Sequence, residues 1–305
     1  MKKRKMALLA AMTGNAIFGF SFMFSRIALG VATPYVMLMY RFLMAFAAIN
    51  IVVLCTRRRA GSGEAMHWLR FDLRGKRRLP LLALGFFQPV CYFLCESYGI
   101  SLTNSVCSGV IIALEPIAAL GFGAVFLAEM PRRDQAAFSV LSISGVIVMT
   151  MQQSAKGDIH PLGVVLLVGA VLSAVAYNII SRGISGGYSA MERTYVMMLV
   201  AAIVFTLLAV WECRADMGLL LAPLLSAGFM GAMLYLSLLS SIAAFMLLNY
   251  ASGELPVAMS TAFCNLTTVI SVFAGVVFLG EPVSAASIAA SVVIVVGIWG
   301  VNRRV

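Results

Sequence analysis

Leu114-Glu115-Pro116 opens a stretch that runs through Gly123 and Phe126-Leu127-Ala128 to Glu129, setting a carboxylate and a proline inside an otherwise apolar run. A helix crossing lipid tolerates neither unless neighbouring protein compensates. At a shift of 152 residues the stretch returns, with Gly275 for Gly123, Phe278 for Phe126, Leu279 for Leu127 and Glu281 for Glu129. The echo extends to Tyr98 with Tyr250 and to Gly145 with Gly297. One unit of about 150 residues is written twice, and the expected division is 1–152 and 153–305.

The 305 residues are 62% hydrophobic and 11% charged, with a mean hydropathy of +0.99. No soluble core of ordinary composition absorbs that much apolar surface. A bilayer-crossing helix needs about 20 apolar residues, so the chain has room for roughly ten. The expected spans are 6–29, 34–55, 79–100, 104–127 and 135–151 in the first unit, and 161–182, about 190–211, 231–250, 256–279 and 284–301 in the second. Residues 219–230 fit either an interfacial piece or an extension of span 8. Cys55, Cys91, Cys95, Cys107, Cys213 and Cys264 lack metal-ligand spacing and read as small core residues. No metal or cofactor is expected.

The net charge of +10 is distributed by side rather than clustered for nucleic acid. Of 22 Lys and Arg, all but four fall at alternate connections, taken as the cytoplasmic side. The exceptions are Lys156 and Arg214 on the other side, and Arg26 and Arg41 within spans. Arg182 and Arg193 are counted in the connection between spans 6 and 7. In the basic connection 56–78, Trp68 and Phe71 are candidate interfacial anchors. Both termini are therefore expected in the cytoplasm. Five spans precede the second unit, so the two copies cross the membrane in opposite senses, an architecture associated with alternating access.

The ordered motifs resemble the drug/metabolite transporter superfamily, specifically its EamA-type ten-helix branch. They are Phe18-Gly19-Phe20-Ser21, Pro34 with Tyr40-Arg41-Phe42, Leu114-Glu115-Pro116 with Phe126-Leu127-Ala128-Glu129, Tyr235-Leu236-Ser237 through Ser240-Ser241 to Asn249-Tyr250-Ala251, and Val277-Phe278-Leu279-Gly280-Glu281. Departures from the branch pattern are Phe18 for a tryptophan, Thr268 for a proline in span 9, and Phe138 and Ala290 near glycine positions. The resemblance implies an all-α integral membrane protein with ten transmembrane helices in two inverted five-helix repeats. It also implies a carrier of small polar or amphipathic metabolites, often outward, through a central cavity.

Four ionisable groups fall within spans: Arg26, Arg41, Glu96 and Glu115. The first three lie toward outer ends, where structural ion pairs or snorkelling compete with ligand binding. Glu115 lies near mid-span, and Pro116 leaves the Ile112 carbonyl without its helical donor. Desolvation favours the neutral acid there, which makes Glu115 a candidate proton-coupling site. The alternative is a permanently neutral acid bonded to a neighbouring helix.

Helical spacing groups Gln88, Tyr92 and Glu96 on span 3, and Asn104, Ser108 and Glu115 on span 4. Asn15, Phe18 and Phe22 share a face of span 1. Tyr177 and Asn178 lie on span 6, Ser240 and Ser241 on span 8, and Asn265, Thr267 and Thr268 on span 9. The candidate cavity is Asn15, Phe18, Phe22, Gln88, Tyr92, Glu96, Ser108, Glu115, Tyr177, Asn178, Asn265 and Thr268. Interhelical hydrogen bonding and plain packing produce similar stripes. Gly14, Gly19, Gly121, Gly123 and Gly275 are expected to let helices approach closely, and Glu129 and Glu281 to cap or tether the following helix.

The expected function is a secondary transporter, an exporter of amino acids or related compounds, in a bacterial inner membrane. Its partners are a small-molecule substrate, protons as a candidate co-substrate, and the lipid bilayer. No phosphate-binding Gly-Lys-Ser/Thr loop supports ATP-driven pumping. Two other readings stand beside it. A membrane-embedded enzyme on lipid-linked substrates needs a nucleophile with its base or a metal cluster, and His67 and His160 lie far apart in connections. A non-transporting sensor or assembly partner is the third.

Overall fold

Each apolar run folds as a helix because lipid leaves backbone amides no other partner. The computed structural model describes residues 2–59, 71–112, 114–126, 133–155, 159–255, 264–280 and 285–302. The first unit holds α1 (Lys2–Leu29), α2 (Pro34–Arg59), α3 (Leu79–Ser101), α4a (Ser105–Ile112), α4b (Glu115–Phe126) and α5 (Arg133–Ala155). The second holds α6 (Pro161–Ile184), α7 (Ala190–Glu212), α8 (Ala227–Glu254), α9 (Cys264–Leu279) and α10 (Ala285–Asn302). No strand occurs among the described residues. Six of these helices are long and apolar enough to cross a bilayer, and the α4, α5, α9 and α10 regions carry shorter apolar stretches.

Helix starts follow local chemistry. Pro161 supplies a first residue that needs no amide donor, and the His160 side chain accepts from the Leu162 amide at 3.1 Å. A capping box opens α7: Ser189 accepts from the Glu192 amide at 3.1 Å, and the Glu192 carboxylate accepts from the Ser189 amide at 2.9 Å.

Three expected spans differ in form. Span 3 is helical, but it opens into a wide π-helical turn at Phe86–Cys91, where Gln88 leaves helical geometry (φ −142°, ψ 117°). The following Pro89 is the cause, since proline disfavours helical geometry in the residue before it. Span 4 is broken rather than continuous, ending α4a at Ile112 and restarting α4b at Glu115. Pro116 has no amide to donate to the Ile112 carbonyl, and the ladder resumes with Ile117 and Ala118 donating to the Leu114 carbonyl at 2.9 Å each. Span 8 starts at Ala227, four residues before Gly231. The preceding Gly218–Leu221 and Ala222–Leu225 form two short turns, and the Ser226 side chain caps the helix at the Phe229 amide. The expected start of span 9 at Pro256, and Trp68, Glu129 and Glu281, lie outside the described residues. Phe71 packs on the Tyr195 ring of α7 with centroids 4.7 Å apart.

Packing repeats with a step of five helices. Contacts of α3 with α6 and α7 have counterparts between α8 and α1 and α2. The equivalent helices α2 and α7, and α5 and α10, lie against each other and run antiparallel, and α4a packs on α9. In the α2–α7 pair, Thr33 bonds Glu212, Phe42 stacks on Phe205 and Tyr195 bonds Asn50. In the α5–α10 pair, Gly300 faces Phe138 while Gly145 faces Ile294 and Ala290. The wide turn recurs as well: Phe86–Cys91 shifted by 152 falls within the π-helical segment Tyr235–Ala244 of α8. The main core joins Phe22, Phe42, Phe93, Phe205, Phe229 and Phe245. Large apolar side chains such as Ile51, Val165, Leu207 and Val292 point outward as a lipid-facing surface.

Glycine matters where backbones touch. A Cβ on Gly19 would lie 2.6 Å from Ile270 and 3.0 Å from the Thr267 carbonyl oxygen, and one on Gly145 would lie 2.7 Å from Ile294 and 3.2 Å from the Ala290 carbonyl oxygen. Gly121, expected at a close approach, has nothing within 4 Å of that position. Gly145→Ala should therefore lower stability by about 1–3 kcal/mol through overpacking, despite alanine's better helix propensity. Gly121→Ala should leave the thermal unfolding midpoint in detergent at or slightly above that of the parent. Equal midpoints for the two variants would contradict the α5–α10 contact.

Candidate functional site

The break in the fourth span sets the centre of the site. Glu115, first residue of α4b and only 7% exposed, accepts from Asn178 Nδ2 of α6 at 2.5 Å. The wide turn of α3 presents Gln88, and one and two helical turns further on come Tyr92 and Glu96, whose side chains are joined by a 3.0 Å hydrogen bond from the tyrosine hydroxyl. From α1, Asn15 donates to the Ala11 carbonyl at 2.8 Å, and Thr267 of α9 donates to the Asn15 carbonyl at 2.9 Å. Tyr177 of α6 donates to Asn249 Oδ1 of α8 at 3.1 Å.

These elements line a partly open cavity with a free volume of about 60 Å³, room for a few waters. Asn15, Phe18, Phe22, Gln88, Tyr92, Glu96, Glu115, Tyr177 and Asn178 all line it. So do Ser21, Phe93, Ile112, Ala174, Phe245, Leu248 and Thr267, which the sequence reading did not select. Phe93 and Phe245 are equivalent under the 152 shift, and their rings meet edge to face at 6.0 Å. Phe18 and Tyr177 also pack edge to face on Phe245, at 5.3 and 6.1 Å. The lining thus combines two carboxyl groups, three amides and several rings. No basic side chain is among its described members.

Ser108 is placed elsewhere: its hydroxyl donates to the Asn104 carbonyl at 2.8 Å and lies 3.1 Å from the Thr103 hydroxyl, closing the turn between α3 and α4a. The side chains of Asn265 and Thr268 lie outside the described residues. No group of three His, Cys, Asp or Glu suited to a metal ion occurs among the described residues.

No ion pair at contact distance is seen for Arg26, Arg41 or Glu96 among the described residues; each makes hydrogen bonds. Arg26 donates to the Ile100 carbonyl at 3.0 Å, near the C-terminal end of α3, where the helix dipole favours a cation. Arg41 is fully buried, donates to Ser240 and Ser241 at 2.8 and 2.9 Å, and stacks 4.0 Å above the Phe93 ring. An ion pair lies elsewhere, between Lys76 and Glu192 at 2.7 Å.

Arg193 corrects the sequence reading. Counted in a connection because it falls near a span end, it is the fourth residue of α7 and 2% exposed. It donates to the Ser181 carbonyl at 3.0 Å, to the Ser181 and Ser252 hydroxyls at 2.7 and 3.1 Å, and to the Asn249 carbonyl. Asn249 in turn donates to Thr194 at 3.0 Å. The knot ties α6, α7 and α8 together directly beneath Tyr177. Its signal was present in the sequence, since Met39 and Arg41 shifted by 152 become Met191 and Arg193.

A duplicated helical fold with lipid-facing flanks and a polar cavity at its seam defines a membrane carrier. The profile of the EamA-like transporter family matches residues 5–151 and again residues 161–303, and the chain belongs to that family. Among similar proteins, the uncharacterized transporter YcxC of Bacillus subtilis is 30% identical over 97% of this chain and 92% of its own length. An uncharacterized transporter of Archaeoglobus fulgidus is 21% identical over 94% of this chain and 95% of its own. One solved crystal structure shares the fold with a TM-score of 0.67 at 17% identity, covering 99% of this chain and 100% of the other. The family and these relatives are transporters, not enzymes.

Replacing Arg193 by Ala would strand buried acceptors on two helices, α6 and α8. A loss of about 3 kcal/mol in unfolding free energy is expected, with partial recovery in Arg193→Lys. Denaturation in detergent measures it, and an unchanged midpoint for Arg193→Ala would contradict the role of the knot.

Proposed function

We propose that the chain is a secondary transporter of small metabolites, an exporter of amino acids or related compounds, working by alternating access around the central cavity. In this reading residues 1–152 and 153–305 are the moving units, crossing a bacterial inner membrane in opposite senses with both termini in the cytoplasm. The observation that carries it is the cavity itself, lined near mid-span by polar and aromatic side chains from six of the ten helical regions and drawn from both units. Carboxyls and amides suit an ammonium and its neighbouring polar groups, and the rings suit its apolar part.

Glu115 is the proposed proton-coupling group. It sits where the helix is broken, lines the cavity, and shares a hydrogen bond with Asn178 that substrate or a proton can replace. Proton and substrate then compete for one carboxyl, which links inward proton movement to outward substrate movement.

Flux from proteoliposomes loaded with a panel of amino acids, nucleosides and aromatic metabolites tests both statements. With an imposed pH gradient, protein-dependent efflux of at least one amino acid is expected. Glu115→Gln should reduce gradient-driven efflux at least about tenfold, or about 1.4 kcal/mol, while substrate exchange persists. Gradient-driven flux unchanged in the variant contradicts the coupling role. No protein-dependent flux of any compound contradicts the transport reading.

A further inference from the structure

Arg41 and Arg193 stand 152 residues apart, the shift that relates the two units. Both are buried and both grip α8, at different points. Arg41 reaches across to the other unit, to Ser240 and Ser241, and its Nη1 has no hydrogen-bond partner among the described residues. Arg193 stays within its own unit, where it bonds Ser181, Asn249 and Ser252. Between the two grips α8 carries Phe245 and Leu248, its contribution to the cavity wall.

Applying the shift to these contacts gives the positions each arginine would face if its unit adopted the other's arrangement: Ser181, Ser252 and Ser241 become Leu29, Ile100 and Pro89, which offer only backbone carbonyls, while Asn249 and Ser240 become polar residues. Asn249 corresponds to Ser97 of α3, a fully buried hydroxyl that likewise has no partner among the described residues. Ser97 lies one helical turn beyond Phe93 on the same face, and the Arg41 guanidinium already rests on the Phe93 ring. Ser240 corresponds to Gln88, whose amide makes no hydrogen bond among the described residues and whose wide turn packs against α7. A buried donor and a buried hydroxyl left unpaired are unfavourable in one arrangement. They are accounted for when a second arrangement joins them.

We propose that Arg41 and Arg193 are matched positioning residues that exchange partners as the carrier changes sides. Arg41 moves from Ser240 and Ser241 on α8 to Ser97 on α3, while Arg193 leaves Asn249 for Gln88. Each guanidinium then has a polar side chain to bond in both states, which lowers the cost of passing between them. Transfer of the grips moves the α8 wall. This inference rests on the alternating-access reading and names the contacts that distinguish its two states.

The test uses a cysteine-free background with Ser21→Cys as a reporter in the cavity, labelled by a membrane-impermeant maleimide in right-side-out and inside-out vesicles. The quantity read is the ratio of outside to inside labelling rates. Ser97→Ala removes a grip of the second state, and the double change Ser240→Ala with Ser241→Ala removes a grip of the state seen here. The two should shift the ratio in opposite directions, each by about threefold or more. Arg41→Lys, which keeps the charge but cannot bridge both serines, should shift it in the same direction as the double serine variant. Two-sided labelling of the parent with shifts that are absent or alike in direction, in variants that remain monodisperse, overturns the exchange but leaves alternating access standing. One-sided labelling in the parent and in every variant overturns both.

Discussion

Hydrocarbon offers no hydrogen bonds, and the rest of the structure follows from where the chain meets that constraint and where it escapes it. An interrupted ladder facing lipid would leave carbonyls and amides bare at a cost of several kcal/mol each. The interruptions seen here fall on helices that build the seam: the Gln88-Pro89 turn of α3, the break before Glu115, and the wide turn of α8. The antiparallel pair α5 and α10 contributes nothing to the described cavity lining and remains regular through its described length. Irregular backbone therefore marks the polar centre, and the uninterrupted helices insulate it.

The same constraint explains how charge is handled. A buried guanidinium costs several kcal/mol unless it is surrounded by acceptors, and each unit carries one arginine at a matched position. Neither depends on a carboxylate within bonding distance; serine hydroxyls and backbone carbonyls supply the acceptors. Neutral partners bind a cation less tightly than a carboxylate would, which suits contacts that must be broken and remade. The carboxyls of Glu96 and Glu115 are thereby left to the cavity, bonded to a tyrosine and an amide.

Much of this was legible in the sequence, for identifiable reasons. Duplication, the odd number of spans and the helix positions are written in hydrophobic runs and a fixed shift, which need no tertiary information. Nine of the proposed lining residues were accessible because polar side chains on an apolar face have few other places to go. What stayed hidden depended on neighbours. Phe93, Phe245, Ile112 and Leu248 are apolar residues among many, and only the seam sets them apart. Ser108 carries the same polar pattern as a lining residue but spends its hydroxyl on the turn after α3. Arg193 imitated a connecting-loop charge because burial by α6 and α8 is invisible along the chain. The break at Glu115 was only half visible: Pro116 announced a loosened turn, but not that Glu115 would meet Asn178 of α6 there.

Inversion of the two units is the claim on which cavity, exchange and transport all stand. Glu64 and Asp216 are equivalent under the shift and lie in the connections after the second and seventh helices. Single cysteines at these two positions, exposed to an impermeant thiol reagent in right-side-out vesicles, give the most direct measurement. Inverted units predict that Asp216→Cys is labelled and Glu64→Cys is protected until the vesicles are opened; labelling of both from the same side would contradict the inversion.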